Sequence, residues 1–451
     1  MVTFKKHIVC LINTPAKFSY TLLFIFFLFL TSFSVAQNLV AVNYDESNQP
    51  IKKVVVEEEQ IEFNSLSGDW WGVRTNLYKS GYEFNFTMKN EVYSSFAGNT
   101  SGSDYLNMFD FNVTLDLNEL LGWEDMTFFA QILGINGTAP EVRSGAIQGI
   151  SNIASPQQWR LYQLLISKRF FDNSLSVVFG LVDLNCEFDA RATSCLFLNP
   201  SFGIGADLAR SGLNGPSIFP STSLAIKVKY NPTEHIYLLA GVFDAVPGNH
   251  YEPYLTHVFA HSEDGVLLAG EFGYYEDGEE LKAGYGKYNI GGWYYPQAYD
   301  DLVDIDETGN PLRHVGNAGF YLNAEKFVCS KPGSSELGLS VFGRLGFANR
   351  NINAVQTFWG LGLNISGVFS NDAGEVLGFA VANARMSDKF VLMNTANPNE
   401  PKFNETIFEL TYNFNLLNWL RVQPDLQYVI NPNQSINNRA FVAGLRVEMS
   451  F

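Results

Sequence analysis

From Tyr82 to Phe451 apolar and polar side chains alternate with a period of two, and this pattern constrains the fold more than any other feature of the chain. Tyr82, Phe84, Phe86 and Met88 alternate with Glu83, Asn85, Thr87 and Lys89; Phe109, Phe111, Val113 and Leu115 alternate with Asp110, Asn112, Thr114 and Asp116. Near the C-terminus Phe441, Ala443, Leu445, Val447, Met449 and Phe451 share one parity, and Arg446, Glu448 and Ser450 the other. Successive side chains of a strand point to opposite faces, so each segment reads as a strand with one apolar and one polar face. Alternation alone leaves two destinations for the apolar face, lipid or a second sheet.

The connections separate these. About sixteen such segments occur, most near the ten residues a tilted strand needs to cross a bilayer. Short connections at Asn118 to Glu124, Phe171 to Ser174, Asn231 to Glu234, Ser370 to Gly374 and Asn415 to Trp419 contrast with long ones at Gly134 to Gln158, Asn185 to Ser221, Val246 to Gly265 and Gly291 to Asn317. Short turns on one rim and long loops on the other predict an all-β fold, a transmembrane antiparallel β-barrel of about sixteen strands. Composition agrees: mean hydropathy is −0.01 and a single long apolar run exists, which excludes a polytopic helical membrane protein. Aromatic residues at 15% argue against disorder.

That apolar run is N-terminal. Lys5, Lys6 and Lys17 precede Leu22 to Leu30, and Ser34-Val35-Ala36 offers a small-x-small cleavage site, so residues 1–36 read as a signal peptide. Residues 37–66 read as an acidic flexible extension, and 67–451 as the barrel domain, with a short helix between Asp69 and Gly81. Removing the signal changes the balance from 29 − 46 to 26 − 46, a net −20, which disfavours nucleic acid as a partner. Cys186, Cys195 and Cys329 remain, too few for a disulfide scaffold; Cys186 and Cys195 are either bridged within one loop or free.

Several local motifs are ordered along nearly the whole of this domain: Gly68-Asp69-Trp70-Trp71-Gly72-Val73-Arg74, Leu121-Gly122-Trp123, Gln148-Gly149-Ile150-Ser151-Asn152-Ile153, Arg160-Leu161-Tyr162, Leu196-Phe197-Leu198-Asn199 with Phe202-Gly203, and Gln423-Pro424-Asp425-Leu426-Gln427-Tyr428. Together they resemble the carbohydrate-selective porins of the OprB family. One departure stands out, Gln163 where the family usually carries an acidic residue. The resemblance implies a sixteen-stranded barrel in the bacterial outer membrane, often a homotrimer, passing monosaccharides and similar small solutes, with an inward-folded constriction loop and no cofactor.

The segment from Asn185 to Ser221 is the candidate constriction loop, by its length and its place after the fifth strand. Within it Glu187, Arg191 and Arg210 are candidate lumen charges, and Phe188 and Phe197 candidate stacking surfaces for the apolar face of a sugar ring. On the barrel wall Lys227, Lys229, Arg344, Arg421 and Arg446 lie on the polar faces of their strands; Arg160 shares the parity of Tyr162 and Leu164, which leaves its direction open. These charges either line the solute path or pair with the wall and hold the loop. His257 and His261, followed by Glu263 and Asp264, lack a third ligand in a fixed frame and read as surface residues rather than a metal site. No G-x-S-x-G elbow or Ser/His/Asp spacing suggests catalysis. The functional expectation is passive, carbohydrate-selective diffusion. The alternatives are a pore for small anions or carboxylates, an outer-membrane enzyme or adhesin on the same barrel, and a soluble β-sandwich lectin.

Overall fold

The computed structural model describes residues 43–44, 50–51, 63–248, 263–394, 403–432 and 438–451. The expected signal peptide, most of the acidic extension, His257 and His261 lie outside the described residues.

Sixteen strands close into one barrel, each pairing antiparallel with its neighbours in sequence. They are β1 Tyr82–Ser95, β2 Gly102–Asp116, β3 Met126–Gly137, β4 Gln158–Phe170, β5 Leu175–Val182, β6 Ser223–Thr233, β7 Ile236–Asp244 and β8 Val266–Tyr275. The second half comprises β9 Gly286–Ile305, β10 Pro311–Ser330, β11 Gly338–Ala348, β12 Val355–Ser366, β13 Val376–Met386, β14 Asn404–Leu417, β15 Leu420–Ile430 and β16 Arg439–Ser450. Closure pairs β16 with β1, Arg446 opposite Glu91 and Met449 opposite Met88. A closed sheet leaves no unpaired edge, which a bilayer requires.

The pleat decides the facing. Glu409 is fully buried while its neighbour Leu410 is 43% exposed, and the same contrast separates Glu271 from Phe272 and Arg344 from Leu345. Polar side chains therefore point into the barrel and apolar ones outward to lipid. On the outer wall Phe86 and Phe109 stack at 6.2 Å, and the Phe451 ring lies 4.9 Å from Phe86.

The expected helix forms as Val73–Lys79, after a 3₁₀ turn at Trp70–Gly72. Asp69 Oδ1 accepts the Thr75 N–H at 2.7 Å, and Gly81 takes φ 85° where the chain enters β1. Arg74 ties this helix to the barrel, donating to Ser65 Oγ at 2.7 Å and to the Phe84 carbonyl at 3.0 Å.

One long connection is not a loop. Most of Gly291 to Asn317 belongs to β9 and β10, each 20 residues long, joined by a turn in which Asp306 Oδ1 accepts the Thr308 N–H at 2.8 Å and Gly309 takes φ 86°. Pro296 and the run of aspartates that follows read as loop because the hairpin outgrows the apolar band, where alternation is no longer enforced. The register slips between Tyr295 and Ala298, beside that proline.

Candidate functional site

Two connections fold into the barrel, residues 138–157 and residues 183–222. The second is a chain of short helical turns, Leu184–Cys186, Thr193–Leu196, Pro200–Gly203 and Ala206–Ala209, each too short to satisfy its own peptide groups. Wall glutamates satisfy them instead. Glu325 on β10 accepts the N–H groups of Ala192 and Thr193 at 3.2 and 2.9 Å. Glu409 on β14 accepts those of Leu198 and Asn199 at 2.6 and 3.0 Å. Glu271 on β8 accepts the Asp189 N–H at 2.9 Å and the hydroxyls of Tyr237 and Tyr321, both at 2.6 Å. The first inward loop is held alike, Glu405 taking the N–H groups of Ile147 and Gln148 at 2.8 Å each. Charged acceptors on peptide donors are among the stronger hydrogen bonds, and Glu325, Glu405 and Glu409 each hold two successive residues. None of these glutamates follows from motif reading; the signal was an acid on the polar face of a strand at membrane depth.

At the loop's centre Arg344 of β11 bridges two loop aspartates. Its Nε donates to Asp189 Oδ1 and Oδ2 at 2.9 and 2.8 Å, and its Nη1 to Asp207 Oδ1 at 2.6 Å. Arg191 completes the cluster, donating to Asp189 Oδ1 and Asn323 Oδ1 at 2.7 Å each and to the Phe202 carbonyl at 2.8 Å. Burial pushes the Asp189 carboxyl up, but Arg344 and Arg191 outweigh it and hold the group below the usual carboxylate range. Asp207, with Arg344 as its cation, is left above that range by burial. Asp189 sits at φ 55°, a conformation that persists because its N–H and both carboxylate oxygens are committed.

The sequence-predicted residues therefore divide. Arg191 and Arg344 are 2% and 3% exposed and act as pins rather than as pore-facing charges. Phe188 and Phe197 offer no stacking surface: Phe188 packs edge-on against Phe243 at 6.0 Å, Phe197 lies 5.0 Å from Phe202, and both are buried. Both phenylalanines fill the seam between loop and wall, since a loop inside a barrel needs an apolar face of its own. Glu187 is partly exposed and forms an ion pair with Lys227. Lys229 lies 3.6 Å from Glu279, and Arg421 lies 3.5 Å from Glu448. Arg446 donates to Glu91 Oε1 at 2.6 Å, and Arg210 is exposed with its Nη2 on the Ile147 carbonyl at 2.8 Å.

Arg160 points inward, where it donates to the Pro220 carbonyl at 3.1 Å and to Ser221. Its parity is ambiguous in the sequence because β4 carries a bulge: Gln131 pairs Gln163 and Ile132 pairs Leu161, leaving Tyr162 as the extra residue. Tyr162 and Gln163 consequently both face the lumen. That places a polar file across three strands: Gln131 Nε2 donates to Asp110 at 3.0 and 2.9 Å, and Gln163 Nε2 to Gln131 Oε1 at 2.9 Å. Asp110 and Gln131 keep partial water access, unlike the pinned arginines. Cys186 and Cys195 are exposed and unbridged.

A family model described as carbohydrate-selective porin, OprB family, matches residues 100–451. Porin B of Pseudomonas aeruginosa is 27% identical over 420 residues, 86% of this chain and 91% of that protein. A putative porin of Acinetobacter baylyi, QuiX, is 22% identical over 416 residues, 86% of this chain and 93% of its own. Among solved structures, the high-pH structure of Pseudomonas putida OprB superposes with a TM-score of 0.74 at 25% identity, covering 88% of this chain and all of that one.

Proposed function

Because the chain belongs to the OprB family of carbohydrate-selective porins, we infer that its barrel passes monosaccharides and similar small neutral solutes across the bacterial outer membrane by passive diffusion. Its relatives are porins, channels rather than enzymes. The observation that carries the preference for neutral solutes is the pairing of the lumen cations. Among the described residues, Lys227, Lys229, Arg344, Arg421 and Arg446 each have a carboxylate within ion-pair distance, so these five do not form a ladder of free positive charge, while Arg210 donates to a carbonyl. Opposed charges that cancel at short range give little long-range attraction for an anion, yet leave donors and acceptors for hydroxyl groups.

The solute path runs past the partly exposed Asp110 and Gln131, the Glu187–Lys227 pair and Arg210. Exchange of water for sugar hydroxyls at such groups is nearly balanced, and binding stays weak enough for the solute to leave. A homotrimer and a mature chain beginning at Gln37 belong to the same reading; cross-linking in mild detergent and N-terminal sequencing test them. The function is tested in planar bilayers: steady channels are expected whose current falls on addition of glucose, and absence of conductance refutes it. Liposome swelling with glucose against organic anions of similar size separates this reading from an anion pore, which requires faster entry of the anion.

A further inference from the structure

On the outer wall rows of side chains can be followed across strands, because residues paired in an antiparallel sheet share a face. Toward the long-loop rim one row joins Phe408, Tyr428 and Phe441 of β14, β15 and β16, the last two exposed. The next row joins Trp359, Asn383, Thr406, Ile430 and Arg439, and the row beyond it Thr357, Arg385 and Asn404. Ala384 and Met386 are buried on the inner face, which turns Arg385 outward, and Arg439 shares the parity of Phe441. Aromatic rings mark the edge of the apolar band, so both arginines stand at headgroup height on the lipid side. The short turns lie at the opposite rim, which makes this the outer leaflet.

Neither arginine has a counter-charge. Among the described residues no carboxylate comes within ion-pair distance of Arg385 or Arg439, although the chain holds 46 acidic against 29 basic residues. On the same rim Arg143 pairs with Asp104, Arg313 with Asp300, and Lys389 with Asp301 and Asp304. Glu405, beside Asn404, turns inward onto the Ile147 and Gln148 N–H groups, and Asp388, on the short helix after β13, forms no ion pair with either arginine. Arg439 Nη1 donates to the Asn438 carbonyl at 2.7 Å and to Asn431 Oδ1 at 3.3 Å, which fixes the side chain. Its Nε and Nη2, and the whole Arg385 guanidinium, have no protein partner among the described residues. Arg350, exposed in the turn between β11 and β12, is also unpaired but stands outside these rows. A charge at the edge of the hydrocarbon is costly without an anion, and the guanidinium fork matches phosphate.

We propose that Arg385 and Arg439 bind the phosphate groups of an outer-leaflet glycolipid of the lipid A class, whose acyl chains run down the wall over Trp359, Tyr428 and Phe441. Three strand spacings, about 14 Å, separate the two arginines, a gap that a disaccharide carrying a phosphate at each end spans. Asn383, Thr406 and Asn404 lie in that gap and offer amide and hydroxyl groups to the sugar rings. A phospholipid, with one phosphate, engages one arginine only. The site is on the outer wall and stands apart from which solute passes through the lumen.

The test is native mass spectrometry of the purified barrel in detergent, titrated with diphosphorylated lipid A. The wild type is expected to hold one lipid A, and Arg385→Gln to bind it at least about tenfold more weakly. The double variant Arg385→Gln, Arg439→Gln should bind it no better than lipid A stripped of its phosphates. Arg313→Gln, which removes an exposed cation that already has a carboxylate, should bind as the wild type does. Unchanged affinity in Arg385→Gln, equal wild-type binding of phosphate-free lipid A or of phosphatidylglycerol, or an equal loss in Arg313→Gln overturns the proposal. Inorganic phosphate at the same concentration should leave the complex intact; displacement by it marks a site for free anions and refutes the lipid reading. A lipid-free mass of several copies that falls to one copy in Arg385→Gln gives this face to a second copy and refutes it as well. Arg385 is bonded to nothing among the described residues, so its replacement leaves the barrel folded, which heat-modifiable migration checks.

Discussion

Replacing Arg344 by alanine removes the guanidinium that joins Asp189 and Asp207 to the wall. Asp189 keeps Arg191 at 2.7 Å and the Asn323 amide at 3.0 Å, so the loss falls on Asp207, fully buried and left without a cation. Breaking a buried ion pair by deleting one partner costs about 3–5 kcal/mol. Asp207 limits the penalty by taking up a proton, which its burial already favours, so the lower figure applies. A loss of about 3 kcal/mol raises the detached fraction of this loop segment roughly 100-fold. The strands keep their pairing, and the staples at Glu271, Glu325 and Glu409 remain, so the barrel itself stays intact. Planar-bilayer recording of Arg344→Ala should show noisier channels with weaker block by glucose, limited proteolysis should cut faster within residues 183–222, and heat-modifiable migration in detergent should be unchanged. Arg344→Lys should recover only part of the effect, because one ammonium group cannot span both carboxylates as the planar fork does. Quiet channels with wild-type glucose block and an unchanged cleavage rate in Arg344→Ala would refute the assignment of this arginine as a pin.

The same clamp can be broken without altering charge: a Cβ at Gly205 would overlap the Arg344 guanidinium and the Asp207 carboxylate, so Gly205→Ala should reproduce the noise of Arg344→Ala, which single-channel recording checks. Glu187→Gln should leave Lys227 unpaired and shift the reversal potential in a salt gradient toward anion preference; an unmoved potential would place the pair off the ion path. In the wild type burial raises the Glu187 carboxyl, but Lys227 and Lys229 hold it lower, below its ordinary range. A group depressed in the folded state keeps its contribution above its unfolded value and loses it as pH falls through the folded one, so that shift should appear only in acid beyond the usual glutamate titration. Cys186, exposed and unbridged, should accept a maleimide from the aqueous phase in intact channels with a stepwise fall in conductance, whereas Cys186→Ser should show no step at that site.

Much of this fold is legible in the chain because a pleat is a local property. Glu271, Arg344 and Glu409 point inward and Phe272, Leu345 and Leu410 outward by parity alone, and parity needs only neighbours in sequence. The same reasoning falters wherever one extra residue intervenes. At Tyr162 a single bulge reverses the facing of everything beyond it, and parity without the partner strand β3 cannot place Arg160. Beyond Tyr295 the hairpin of β9 and β10 leaves the apolar band, the lipid no longer selects side chains, and strand resembles loop.

The site shows the same division more sharply. The run from Asn185 to Ser221 announces a long insertion after the fifth strand, rich in charge and phenylalanine, and its motifs point to a sugar-passing barrel. Whether Arg191 faces water or grips Asp189, and whether Phe188 and Phe197 stack on sugar or seal the loop to the wall, depended on which wall residues the loop meets. Of those residues Phe243 lies 55 positions beyond Phe188, and Asn323, Glu325, Phe342 and Arg344 lie more than a hundred positions beyond the loop residues they meet. Alternation is enforced residue by residue through the backbone, so the sequence by itself determined a closed barrel and the two faces of its wall. The pairing of Lys227 with Glu187 and of Arg344 with Asp189 and Asp207 arises from side chains that meet only once the barrel has closed around its own loop, and that was decided by the tertiary structure alone.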